Sequence, residues 1–276
     1  MLKQRVITAV LLLAVLLPAL MYPSPEPFAA FTLCLIVGAG WEWARMNGCR
    51  EPVSRLAGLL LGASLAVVWW QYGLDAQADW VWPVASVVWL LLTPWLLYRG
   101  VTAWGSVARP VRLVVGWLLL SAAWWAMVQA HAVGVGMLLS IFLLVWVADV
   151  AAYFGGKTFG RRKLAPAISP GKSWEGAISG WLAVSVLSLL CVWWLPESAG
   201  PQLYSRLWAE WHPVAAIAAL WLLVAMSVSG DLVESLVKRS AGLKDSSQLL
   251  PGHGGVLDRV DALLPVFPLA MWMVTA

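Results

Sequence analysis

Residues 133–153 read VGVGMLLSIFLLVWVADVAAY. A helix needs roughly 20 apolar residues to cross the hydrocarbon of a bilayer. This run supplies them with one charge, Asp149, near its end. A lone carboxylate there requires a partner or a purpose, because a charge near the bilayer centre costs roughly 2.5–3.5 kcal/mol. The rest of the chain has the same character. Of 276 residues 61% are hydrophobic and 12% charged, with mean hydropathy +0.79, whereas about 25% are charged in ordinary soluble domains. An all-α, polytopic membrane protein is the fold class these figures predict.

Working outward from that run, the sequence offers nine apolar stretches: 6–22, 27–45, 56–73, 80–98, 112–130, 133–153, 176–195, 213–230 and 261–276. Lys3 and Arg5 ahead of the first imitate a secretory signal. No A-x-A-like cleavage site follows, and a second run begins within a few residues, so the first span is expected to be retained. Tryptophans gather near run ends, as Trp69–Trp70, Trp80 with Trp82, and Trp193–Trp194, where indole favours the membrane interface. Cys34, Cys49 and Cys191 are too scattered for a disulfide framework or a zinc site, and His131, His212 and His253 form no H-x-x-x-H pair. The net charge of +4 gives no reason to expect nucleic acid.

Orientation follows from the basic residues. With the N-terminus in the cytoplasm and nine spans alternating, 17 of the 18 Lys and Arg fall on the cytoplasmic side and only Arg206 falls outside. That is the positive-inside bias, and it places the C-terminus outside. No internal repeat is visible. The expected organisation is one membrane domain, with N-terminal spans over 1–130 and a catalytic region over 131–276. Two long cytoplasmic connections, 154–175 and 231–260, hold the polar chemistry.

The second connection includes SLVKRSAGLKDSSQLLPGHGGVLDRVD, Ser235 to Asp261. Read as a helix, 231–242 puts Asp231, Glu234, Ser235, Lys238, Arg239 and Gly242 on one face and Leu232, Val233, Leu236 and Val237 on the other. One reading is an amphipathic helix lying on the membrane. Against it, Asp231 and Glu234 are acids on a face that should greet anionic lipid with Lys and Arg. The other reading is a site: carboxylates suit Mg²⁺ bound to substrate phosphates, and the cations suit the phosphates themselves. Asp258 and Asp261 are spaced to share a helical face. The glycines around His253 let backbone approach a ligand, and His253 itself suits a turn or a phosphate contact equally.

The first connection reads ADVAAYFGGKTFGRRKLAPAISPGKSWEG, Ala148 to Gly176. Its two G-K-[ST] tails, at Gly156-Lys157-Thr158 and Gly171-Lys172-Ser173, are not Walker loops. Ala151 and Pro166 stand where the first glycine is required. Arg161, Arg162 and Lys163 are accounted for by the positive-inside bias. Ser169-Pro170-Gly171-Lys172 followed by Trp174 and Glu175 is not.

These residues closely resemble the integral-membrane phosphatidate cytidylyltransferases. The C-terminal signature of that family is filled by Ser235, Lys238, Arg239, Lys244, Asp245, Ser247, Leu250, Pro251, His253, Gly254, Gly255, Asp258, Arg259 and Asp261. The upstream D-x-x-A-Y-x-x-G and S-P-x-K-[ST]-x-E-G elements match Asp149 to Gly156 and Ser169 to Gly176. Gly171 departs from an expected Lys. The resemblance covers roughly residues 145–265.

It implies conversion of CTP and phosphatidate to CDP-diacylglycerol and pyrophosphate, at a cytoplasm-facing site in a bacterial inner membrane, by a homodimer. It further implies Mg²⁺, with room for a second cation, on Asp231 and Asp258. Asp149 and Asp261 are expected as further metal ligands. Lys172, Lys238, Arg239, Lys244, His253 and Arg259 are expected to act in catalysis, and Lys157, Ser169, Ser235, Gly254 and Gly255 to bind substrate. Two rivals are a cytidylyltransferase for another lipid phosphate and a transporter. The second would need charges near the midplane in paired halves. The D-G-x2-A-R motif of the CDP-alcohol phosphotransferases is absent.

Overall fold

A computed structural model describes residues 2–74, 79–195 and 200–275. Eight helices among the described residues are long and apolar enough to cross a membrane. They are α1 (Leu2–Met21), α2 (Glu26–Met46), α3 (Glu51–Tyr72), α4 (Val81–Arg99), α6 (Arg109–Val133), α7 (Val135–Phe159), α8 (Trp174–Trp194) and α10 (Pro213–Ser240). Short helices α5 (Val101–Ser106), α9 (Leu203–Glu210) and α11 (Leu257–Val260) connect them. Proline opens α2, α3, α6 and α10, where its missing N–H is no loss.

The ninth stretch departs from expectation. Helix α12 (Leu263–Thr275) has only 13 residues, about 20 Å at 1.5 Å per residue. Its residues from Leu263 to Met271 are all buried, and it packs on α4, α6 and α10. A helix apolar on all sides belongs in a core, so α12 is shorter than the expected ninth stretch and is enclosed by helices rather than by lipid. Its C-terminal end meets α9, where Arg206 Nη1 donates to the Val274 carbonyl at 3.2 Å. The start of α7 meets α9 as well, through Tyr204 Oη donating to the Ser140 carbonyl at 3.1 Å. These three ends therefore share one face of the bundle.

Helix α10 also differs from its predicted end at residue 230. It runs 28 residues, to Ser240, carrying the supposed surface segment inward. Glu234 is 5% exposed, and Leu232, Val233, Leu236 and Val237 on the opposite side are buried too. The helix continues because its charges find partners inside the protein, described below. A membrane-surface helix is thereby excluded for 231–240.

Small residues set a close crossing of α7 and α8. A Cβ on Gly176 of α8 would lie 2.7 Å from the Ala152 carbonyl oxygen of α7 and 3.4 Å from the Gly156 Cα. Backbones that approach through such positions pack well in lipid. Between α7 and α8 the chain forms a hairpin that the all-α reading did not foresee. Strand β1 (Lys163–Ala165) pairs antiparallel with β2 (Ser169–Ser173), with Lys163 opposite Ser173 and Ala165 opposite Ser169. Ser173 then caps α8, its hydroxyl accepting from Gly176 N–H at 3.2 Å.

Candidate functional site

The α7–α8 crossing, the hairpin and the middle of α10 enclose a polar cleft of ≈ 590 Å³. Asp149, Lys157, Ser169, Gly171, Lys172 and Asp231 line it, all within elements singled out from sequence. Lys163 lines it as well. That residue was assigned to the positive-inside background, and only its place on β1, opposite Ser173, turns it inward. At the centre Lys172 Nζ meets Asp231 Oδ2 at 2.8 Å, with side chains 23% and 38% exposed. Ser235 donates to the other Asp231 oxygen at 3.2 Å. A side chain on Gly171 would meet nothing within 4 Å, so the departure from Lys leaves open space.

A second, more buried cluster lies further along α10. Lys238 Nζ bridges Glu234 at 2.5 Å and Asp258 at 2.7 Å. Asp258 also accepts the Ser246 hydroxyl at 3.0 Å and the backbone N–H groups of Ser246 and Gly255 at 3.0 and 2.8 Å. Burial alone would raise the Asp258 carboxyl. The Lys238 ammonium and the two N–H groups outweigh it and hold the carboxyl below its ordinary range. Gly254, at φ +85°, turns the backbone beside this carboxylate: a Cβ there would stand 2.8 Å from Asp258 Oδ2.

The remaining expected residues do not line the cleft. Arg239 and Lys244 are exposed, and Arg239 Nη1 donates to the Leu243 carbonyl at 3.3 Å. Arg259 binds the carbonyl of His253, whose Nδ1 has no partner. Asp261 lies between the two clusters, within electrostatic reach of Asp231, Lys172 and Lys238.

Among the described residues no three His, Cys, Asp or Glu side chains stand close enough to make a complete metal site. Mg²⁺ does not demand one, since it commonly takes one or two carboxylates and fills its octahedron with water and substrate phosphates. Asp149 and Asp231 both line the cleft, so two carboxylates can offer hard oxygen donors there. That donor set fits a divalent ion. Asp258 is differently placed, with its oxygens engaged by Lys238, Ser246 and Gly255.

One contributor was missed from sequence. Glu42 of α2 is 0% exposed and accepts four hydrogen bonds from residues 246–257. Like Asp149, this carboxylate stands near the end of an apolar run, a signal that called for a partner but did not say which.

The polar cleft continues into an apolar pocket of ≈ 510 Å³ lined by Ile168, Trp174, Trp181 and Leu232 among others. Leu164, Ala177 and Val228 border both.

A helical membrane bundle with a phosphate-suited cleft against an apolar pocket is the class that the fold and site define. The chain belongs to the cytidylyltransferase family, whose model matches residues 3–276. It is 42% identical to a phosphatidate cytidylyltransferase of Pseudomonas aeruginosa, over 99% of this chain and 97% of the relative. The protein of the same name from Haemophilus influenzae is 34% identical over 97% and 96%. That of Brucella suis is 36% identical over 95% and 89%.

Lys172 and Arg162 separate site from background. Lys172→Ala should lower turnover about 10–100-fold, as loss of a preorganised cation does, whereas exposed Arg162→Ala should change it less than about twofold. Equal, small effects in initial-rate assays would return the hairpin to a topological role.

Proposed function

We propose that this protein transfers the cytidylyl group of CTP to phosphatidate, releasing pyrophosphate and forming CDP-diacylglycerol. One observation carries the reading: a cleft with Lys157, Lys163, Lys172 and Asp231 opens through Leu164, Ala177 and Val228 into an apolar pocket. Such a site suits a substrate that is phosphate at one end and hydrocarbon at the other. The names of the relatives support the choice of CTP and phosphatidate.

In the proposed reaction a phosphatidate oxygen attacks the α-phosphorus of CTP in line. The new P–O bond forms as the bond to the β-phosphate oxygen breaks, and pyrophosphate departs with that electron pair. The attacking oxygen is already ionised at neutral pH, so no general base is required, and positioning and charge neutralisation carry the catalysis. Lys157, Lys163 and Lys172 hold phosphate oxygens in the cleft. Lys172 leaves Asp231 for the incoming phosphate, while Ser235 keeps the Asp231 carboxylate in place. Asp231 and Asp258 would hold Mg²⁺, with Asp149 and Asp261 as further carboxylates. When bound it supplies Lewis-acid neutralisation of the triphosphate. Contact between Lys244, His253 or Arg259 and the substrate requires the 241–260 connection to move toward the cleft, and Arg239, on α10, would have to leave the Leu243 carbonyl. A homodimer, with the site facing the cytoplasm of a bacterial inner membrane, is part of the same proposal.

The test is purified protein supplied with CTP, Mg²⁺ and a panel of lipid phosphates, read by pyrophosphate release and nucleotide-bearing lipid. Product with phosphatidate is expected. Product only with another lipid phosphate would move the assignment within the family, and none with any would overturn it. Sidedness is checked separately. Gln248 is exposed, so Gln248→Cys, in a background without the native cysteines, should react with an impermeant thiol reagent only after the membrane is opened. Labelling in intact cells would put the site on the wrong face for cytosolic CTP.

A further inference from the structure

We infer that Glu42, on α2, is a positioning residue for the catalytic site, holding the 246–257 loop so that Asp258 keeps its place. The inference rests on the proposed metal role of Asp258. Each Glu42 oxygen takes one backbone amide and one hydroxyl. Oε1 accepts Val256 N–H at 2.9 Å and Ser247 Oγ at 2.5 Å, and Oε2 accepts Leu257 N–H at 2.8 Å and Ser246 Oγ at 3.1 Å. No Lys, Arg or His forms an ion pair with it among the described residues. The loop is moulded around the carboxylate: a Cβ on Gly255 would stand 2.5 Å from Glu42 Oε1 and 1.9 Å from Ser246 Oγ.

A buried acid without a counter-ion is costly, and an apolar side chain would pack α2 as well. What the acid adds is acceptors for the backbone amides of Val256 and Leu257, just after Gly255, and for the side-chain hydroxyls of Ser246 and Ser247 across the loop. The route to the site is short. Ser246 Oγ lies 3.1 Å from Glu42 Oε2 and 3.0 Å from Asp258 Oδ2, so the hydroxyl stands between the two carboxylates and its single proton serves one or the other. Gly255 N–H holds the same Asp258 oxygen, while Oδ1 meets Lys238 at 2.7 Å and the Ser246 N–H at 3.2 Å. Groups that orient a metal ligand in this way are commonly worth 10–100-fold in metal affinity. Glu42→Gln turns an amide NH₂ toward a backbone N–H, and Ser246→Ala removes the hydroxyl between the carboxylates.

The experiment uses the full chain in detergent, with Glu42→Gln, Ser246→Ala and Asp258→Asn. The readouts are the Mg²⁺ concentration giving half of the Mg²⁺-induced rise in thermal midpoint without substrate, and kcat and KM for CTP. Both Glu42→Gln and Ser246→Ala should raise the half-saturating Mg²⁺ about tenfold or more and lower kcat. Ser246→Ala should keep its metal-free midpoint near that of the parent. A structural role alone would lower that midpoint and leave the Mg²⁺ dependence unmoved, which would overturn the inference. If Glu42→Gln does not fold, Ser246→Ala decides by the same criterion. Asp258→Asn tells the two failures apart. An intact Mg²⁺ response in that variant overturns the metal reading and with it the inference, whereas a lost response with Glu42→Gln and Ser246→Ala unaffected overturns the inference alone.

Discussion

Asp231→Asn should lower CTP-dependent turnover by about a hundredfold or more, the scale on which loss of a preorganised electrostatic group acts, and should leave the protein folded. The substitution keeps volume and one acceptor oxygen but removes the charge that faces the cleft. Its partner Lys172 is 23% exposed, so the stranded ammonium keeps access to water and the stability cost stays small. Turnover across a range of Mg²⁺ concentrations, with thermal midpoints alongside, measures both effects. Near-parent turnover, or a loss explained wholly by unfolding, would remove Asp231 from the site.

Lys238→Met should do the opposite: stability falls first. Lys238 serves Glu234 and Asp258, whose side chains are 5% and 9% exposed. Removing the cation leaves buried acids without compensation, a change that commonly costs about 3–5 kcal/mol. The variant should show a much lower thermal midpoint in detergent. Adding Glu234→Gln should recover part of the loss, because one of the two stranded charges disappears. A Lys238→Met protein as stable as the parent would mean that these acids are neutral or solvated, and would demote Lys238 to a ligand-facing residue.

Much of this architecture is legible in the sequence because hydrocarbon imposes simple rules on length and charge. The first eight runs appear as the eight long helices within a few residues, except where polar partners extend them. The misreadings share a cause. Run length could not tell that α12 is enclosed by other helices, since a helix buried in protein and one bathed in lipid are equally apolar. The 231–240 segment offered two readings, a surface helix or a site, because the partners of Asp231 and Lys238, Lys172 and Asp258, lie far away in the chain. Lys163 and Glu42 were missed for the complementary reason: a basic loop residue and an acid in an apolar run acquire meaning only through strand pairing and through the loop that closes on them. Asp149 and Lys172 stood in quoted motifs and Asp231 on the polar face of 231–242, and the fold brings these three distant segments to one cleft.

Helix α1 touches the glycine turn: Arg5 Nε donates to the Gly252 carbonyl at 2.9 Å and Thr8 to the Pro251 carbonyl at 3.0 Å. The first of these contacts joins residues 247 positions apart. During synthesis residues 5 and 8 must therefore wait for residues 251 and 252 to be made. At about 5–20 residues per second that wait lasts on the order of tens of seconds. A chain interrupted before residue 250 would hold the eight long helices and lack the turn that α1 grips. The closing of α1 onto the glycine turn is thus a late event of biogenesis, separated from the making of α1 by the synthesis of every helix between them.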